Sequence, residues 1–153
     1  MAEIVVRALT RGLIDDWLAF FDRDAFADNP DWSGCYCQWF HVDHSTGEWE
    51  TRTPETNRAA SIDLIRAGVL NGYLAYVGGN PAGWCQAAPK PSIPNIANDP
   101  YLTGDDAGSV GSIVCFVVAA AHRRHGIARR LLEAVCAGFA AQGGLSSAHV
   151  NFH

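Results

Sequence analysis

Four arginines, Arg123, Arg124, Arg129 and Arg130, fall within eight positions and make up four of the chain's 11 basic residues. Gly126 and Ala128 lie between them, immediately ahead of the apolar run Ile127, Leu131, Leu132, Val135. A turn of this composition at the mouth of a helix suits an anion. The first helical N–H groups have no intrahelical partner and carry the positive end of the helix dipole. Small residues let a phosphate approach the backbone closely, and Arg123, Arg124 and Arg129 offer charge-assisted hydrogen bonds. The competing phosphate motifs are absent. No G-x-x-x-x-G-K-[ST] loop occurs, and no G-x-G-x-x-G follows a strand. The plainer alternative is an arginine-rich turn that serves only as a solvated helix start.

A second cluster lies upstream. Cys35-Tyr36-Cys37 and His41-x-x-His44 fall within ten residues. Two cysteines and two histidines form a zinc ligand set, but C-x-C is not the usual C-x₂₋₄-C spacing. Three readings stand: a Cys/His metal-binding module, a packed loop whose Trp32, Tyr36, Trp39 and Phe40 cover the core, or a wall of a binding pocket. Cys115 lies in an apolar strand, where a thiol packs as a small hydrophobe or stands close to chemistry.

The elements that must position these residues follow from periodicity. Glu3 to Leu9 reads as a first strand. Thr10 offers an N-cap to a helix over Arg11 to Phe21, with Leu13, Ile14, Trp17, Leu18 and Phe21 at helical spacing. Asp22 to Thr53 reads as irregular, long enough to be a functional loop or to hide a short helix. Thr53-Pro54-Glu55 opens the next helix, whose apolar face is Ile62, Ile65 and Val69. Tyr73 to Val77 and Ala82 to Ala88 form a hairpin around Gly78-Gly79-Asn80. Pro89 to Pro100 carries four prolines in twelve residues and reads as an extended connection. Ser109 to Val118 is the most apolar strand. Gly126 to Gln142 is the clearest helix, with a stripe of Ile127, Leu131, Leu132, Val135, Cys136 and Phe139 and a stop at Gly143-Gly144. Leu145 to Phe152 reads as one more strand. This order predicts residues 1–153 as a single α/β domain, a mixed central sheet with helices on both faces.

Bulk properties narrow the partners. The net charge is −5 and the pI about 5.6, which disfavours a nucleic-acid polyanion. A basic focus on an acidic chain suits a small anionic ligand. No apolar run reaches membrane-spanning length, and the N-terminus lacks the basic and apolar regions of a signal peptide, so a cytoplasmic location is expected. Five cysteines, an odd count, fit a reducing compartment.

The stretch Val118-Ala119-Ala120-Ala121-His122-Arg123-Arg124-His125-Gly126-Ile127-Ala128-Arg129-Arg130-Leu131-Leu132 resembles motif A of the GCN5-related N-acetyltransferases (GNAT). In that motif a strand ending in Val-x-Pro leads into Arg/Gln-x-x-Gly-x-Gly/Ala and an apolar helix. Ala120 stands where proline is common. The element order matches the family over nearly the whole chain. The resemblance implies acetyl-CoA as cosubstrate and a primary amine, on a small molecule or a protein, as acceptor. It implies that the backbone of Phe116, Val117 and Val118 pairs with the pantetheine arm beside a splay or bulge in the strand. It further implies that amides and side chains across Arg123, Arg124, His125, Gly126, Ile127, Ala128 and Arg129 hold the pyrophosphate. In the family the segment between the first two helices lines the acceptor site. Trp and Tyr rings with His41, Asp43 and His44 would bind an amine there, with His41 as base.

Two departures accompany the resemblance. No carboxylate lies on the strand Ser109 to Val118, where many members carry a glutamate on it or nearby. The family fold also continues after its fifth strand with a helix and two strands that often supply a tyrosine acid. This chain ends at His153, so the C-terminal part of the fold is expected to be missing. That expectation opens an alternative, a CoA-binding protein with little catalysis, and an unpaired edge would favour a homodimer.

Overall fold

The computed structural model describes residues 2–97, 110–141 and 147–150. Its frame is a five-stranded sheet in the order β1-β2-β3-β4-β5, where β1 is Ile4–Ala8, β2 Gly72–Val77, β3 Asn80–Pro89, β4 Val110–Val118 and β5 Ser147–Val150. The first four strands are antiparallel, and β4 pairs with β5 in parallel, so the sheet is mixed. The helices are α1 (Ile14–Ala19), α2 (Glu48–Thr51), α3 (Pro54–Arg66), α4 (Pro94–Ala97) and α5 (Ile127–Ala141).

Side chains alternate across the sheet and build a core on each face. Leu74, Tyr76 and Trp84 join Trp17, Phe20, Phe21 and Ile65 on one side. Ala75, Cys85, Ala87 and Ile113 meet Ile127, Leu131, Val135 and Phe139 of α5 on the other. Tyr73 and Tyr76 fall on opposite faces. The α5 stripe is narrower than its sequence suggests. Residues 127, 131, 135 and 139 are buried one turn apart, whereas Leu132 and Cys136 are exposed. Each buried side chain of that size contributes about 1.5–3 kcal/mol. The helix lies close to the sheet at Gly83, where an added Cβ would stand 2.8 Å from Ile127 Cγ2. The predicted stop at Gly143-Gly144 lies outside the described residues.

Several elements differ from the sequence expectation. The first helix begins as a 3₁₀ turn at Arg11–Leu13, and Thr10 makes no side-chain cap. It then widens into a π turn at Phe20–Asp24, closed by Ala25 N–H donating to Phe20 O at 2.9 Å. Thr53 does cap α3, accepting from Thr56 N–H at 3.1 Å. The buried face of α3 is not Ile62 and Val69, however; Val69 is exposed, and the buried residues are Asn57, Ser61 and Ile65. The reason is polar. Ser61 donates to Tyr36 O, Gln38 donates to Ser61 Oγ at 2.6 Å, and Asn57 donates to Gly34 O at 2.8 Å. Those bonds fasten the segment expected to be irregular, which is a chain of 3₁₀ turns ending in α2. Tyr36 and Cys37 both take positive φ within it. The proline-rich connection turns through Lys90–Ser92 and α4 rather than running extended over its described part.

Candidate functional site

The decisive local feature is a bulge in β4. Cys85 pairs with Phe116 and Gln86 with Val114, so Cys115 has no register partner and adopts φ 51°. A bulged residue leaves the hydrogen-bond ladder and bends its strand. On the other edge, β4 pairs with β5 from Val110 to Ile113, and no β4–β5 pair occurs beyond Ile113 among the described residues. The strand therefore opens at Cys115, with the edge of Phe116–Val118 turned to a cleft of about 800 Å³.

The arginine-rich turn closes the same cleft. Arg124 (φ 63°) and Gly126 (φ 85°) are left-handed, so the chain folds into a concavity of amides, a nest, ahead of α5. The helical ladder starts with Arg130 N–H donating to Gly126 O at 3.1 Å, leaving the amides of Ile127, Ala128 and Arg129 ahead of it. A Cβ built at Gly126 meets nothing within 4 Å, so the backbone there is bare. Phe116, Val117, Val118, Arg123, Arg124, Gly126, Ile127, Ala128 and Arg129 all line this cleft; His125 is exposed and does not.

The arginines divide their work. Arg123 is tied down: Nε donates to Val118 O at 3.0 Å, and Nη1 and Nη2 donate to the Asp28 carboxylate at 2.6 and 3.2 Å. Hydrogen bonding from Arg123 holds the Asp28 carboxyl below the usual carboxylate range. Arg129 donates to Glu133 at 3.1 Å along the outside of α5. Arg124 is exposed at the cleft, with no ion pair among the described residues.

The opposite wall was not legible as a site. Ala25, Phe26, Asp28, Asn29 and Trp32 form it, presented by the π turn and the residues after it. A second cleft of about 440 Å³ adjoins the first, and Phe26, Trp32 and Cys115 line both. Its walls include Trp39, Phe40, Trp49 and Arg52, with Cys35 and Cys37 at the side of Cys115. Burial pushes the Cys35 thiol up to about 11 and the Cys37 thiol well above its ordinary value, so both are neutral. Cys37 Sγ lies 2.7 Å from Cys115 Sγ and accepts from the Trp84 indole N–H at 3.1 Å.

His41 lines neither cleft. Its Nε2 is 2.6 Å from Gln86 Nε2, and burial lowers its pKa. In either amide orientation that nitrogen is committed to Gln86. His44 Nε2 meets Trp39 O at 2.7 Å. The two histidines and the cysteines do not converge, and among the described residues no group of three or more His, Cys, Asp or Glu is placed to hold a metal. No helix among them is long and apolar enough to cross a membrane.

The acetyltransferase (GNAT) family model matches residues 16–152. The chain belongs to the GNAT acetyltransferase family. Solved structures show the same fold. The aminoglycoside N-acetyltransferase AAC(6')-Iy, in complex with CoA, is 15% identical at a TM-score of 0.62, with 100% of this chain and 79% of that one covered. A ribosomal-protein-alanine N-acetyltransferase from Brucella melitensis is 17% identical at 0.58, covering 97% and 80%. A GCN5-related N-acetyltransferase from Ralstonia eutropha is 20% identical at 0.55, covering 98% and 84%. No match was found among curated proteins.

Proposed function

We propose that this GNAT chain transfers an acetyl group from acetyl-CoA to a primary amine. The observation that carries the reading is the meeting of the Cys115 bulge and the Arg124–Gly126 nest on one cleft. The nest and the first amides of α5 would receive the pyrophosphate, with Arg124 adding charge. The free edge of Phe116–Val118 would take the pantetheine amides as an added strand. In that pose the thioester would lie at Cys115, which lines both clefts.

An amine from the second cleft attacks the thioester carbonyl there. The carbon–nitrogen bond forms, the carbon–sulfur bond breaks, and CoA leaves as its thiol once protonated. The N–H of Cys115, which has no register partner on β3, would steady the developing oxyanion. No carboxylate or imidazole lines both clefts among the described residues. Loss of the amine proton is therefore assigned to solvent rather than to His41, and the rate should rise with pH as free amine accumulates.

The test is mass spectrometry of reaction mixtures containing the chain, acetyl-CoA and a panel of primary amines. Acetylated amine with stoichiometric free CoA supports the reading. Acetyl-CoA binding without any acetylated product supports the non-catalytic alternative instead. The reading includes a cytoplasmic setting, in keeping with five free cysteines, and a homodimer, which light scattering checks.

A further inference from the structure

The second cleft has a chemistry of its own. Trp39 and Trp49 meet edge to face with ring centroids 5.1 Å apart, and Phe26 and Trp32 do the same at 6.4 Å. The polar groups between them are already engaged with protein partners. Arg52 donates to Asn57 at 2.6 Å, to Glu48 at 2.9 Å and to Gln38 at 3.2 Å. Asn57 spends its amide nitrogen on Gly34 O at 2.8 Å. The thiols Cys35 and Cys37 are neutral. Among the described residues Asp31 is the one carboxylate lining the cleft, and it has no ion pair there.

These facts bear on what fits. An acceptor rich in hydroxyls or amides would lose its water here and find few free partners among the described residues, which is costly. Among the described residues a polycation would meet one unpaired carboxylate. An aromatic body would bury its rings against four others, and a single ammonium would gain from the ring faces and from Asp31. A volume of about 440 Å³ suits a molecule of one or two rings.

We propose that the acceptor is an arylalkylamine carrying one primary amine, its ring held among Phe26, Trp32, Trp39 and Trp49 and its nitrogen passing Asp31 toward Cys115. The proposal rests on the neighbouring cleft being the acetyl donor's. The probes are 2-phenylethylamine and tryptamine, with neamine as a polycationic sugar and a lysine peptide as a polar acceptor. Calorimetry measures binding of each to the full chain, with and without acetyl-CoA, and mass spectrometry measures acetylation. The expected result is that both arylalkylamines bind and are acetylated while neamine and the peptide are not. Trp49→Ala should raise KM roughly tenfold with kcat nearly unchanged, and Trp49→Phe, which keeps a ring, should recover most of the loss. Asp31→Asn should raise KM by a few-fold for the amines and leave acetyl-CoA affinity alone. Acetylation of neamine or the peptide in place of the arylalkylamines overturns the proposal and leaves the donor reading intact. Arylalkylamine binding without any acetyl-CoA binding upholds the occupant and overturns the donor reading. Absence of arylalkylamine binding under both conditions overturns the proposal.

Discussion

Arg123 and Asp28, 95 positions apart in the chain, both line the first cleft and form a two-pronged ion pair, with Nη1 2.6 Å from Oδ2. The arginine that opens the family motif thus acts here as a strap. It ties the arginine-rich turn to the segment after the π turn and to Val118 O at the end of β4. Asp28→Asn should weaken acetyl-CoA binding by a few-fold through a looser turn, with little change in melting temperature, because both side chains are close to half exposed. The pair also has a pH signature. The Asp28 carboxyl is held low by Arg123, so its contribution is present above the ordinary carboxylate range and fades as pH falls through the depressed value. Titration of Asp28 by NMR checks this, and an ordinary carboxylate midpoint would contradict it.

Gly126 stands at φ 85° with open space around its Cα. Any side chain there costs about 1–2 kcal/mol of backbone strain, while charge adds a separate effect. Gly126→Gln and Gly126→Glu share the strain and the bulk. Only the glutamate places a negative charge at the nest, so it should bind acetyl-CoA at least tenfold more weakly than the glutamine variant. Equal affinity in calorimetry would remove phosphate from that turn.

The thiols of Cys37 and Cys115 stand 2.7 Å apart, well inside ordinary non-bonded contact. A peroxide should convert them to a disulfide with release of water, detected as loss of two hydrogen atoms by intact mass and reversed by dithiothreitol. Burial of Cys37 raises its pKa, so the reaction should be slow at neutral pH and faster in alkali. Cys37→Ser should abolish the cross-link. A disulfide persisting in that variant would place the reactive pair elsewhere.

His41 should carry a stability signature rather than a catalytic one. Burial depresses its folded pKa below the ordinary 6.5, so the unfolded chain takes up the proton first as pH falls. Stability is therefore lost as pH drops below about 6.5 and levels off once the folded histidine is protonated too. His41→Gln should flatten that limb in thermal melts and leave the pH dependence of kcat/KM unmoved. A shifted rate profile would restore His41 as a base.

The sequence made the sheet, the hairpin, α5 and the arginine-rich turn legible because each is written in local chemistry: alternation, Gly78-Gly79, a six-residue stripe of which four residues are buried, a small-residue helix start. Phe116–Val118 entered only through the family resemblance, because an apolar strand edge carries no local mark of a ligand. The bulge at Cys115 was expected as a splay without a position, since register is set by pairing with Cys85 and Gln86, 29 or more residues away. The Asp28 wall and the polar pinning of Tyr36 and Gln38 to α3 were hidden, because their signals are long-range hydrogen bonds. The partner of His41 was hidden for a related reason, since Gln86, which takes its nitrogen, lies on a strand 45 residues away.

The most direct test of acetyl-CoA binding is the melting temperature of the full chain with and without saturating acetyl-CoA. At about 100 times its dissociation constant a ligand specific for the folded state adds roughly 2.7 kcal/mol. A clear upward shift, lost in Gly126→Glu and kept in Gly126→Gln, is the predicted result. An unchanged melting temperature would contradict the donor site formed by the Cys115 bulge and the Arg124–Gly126 nest.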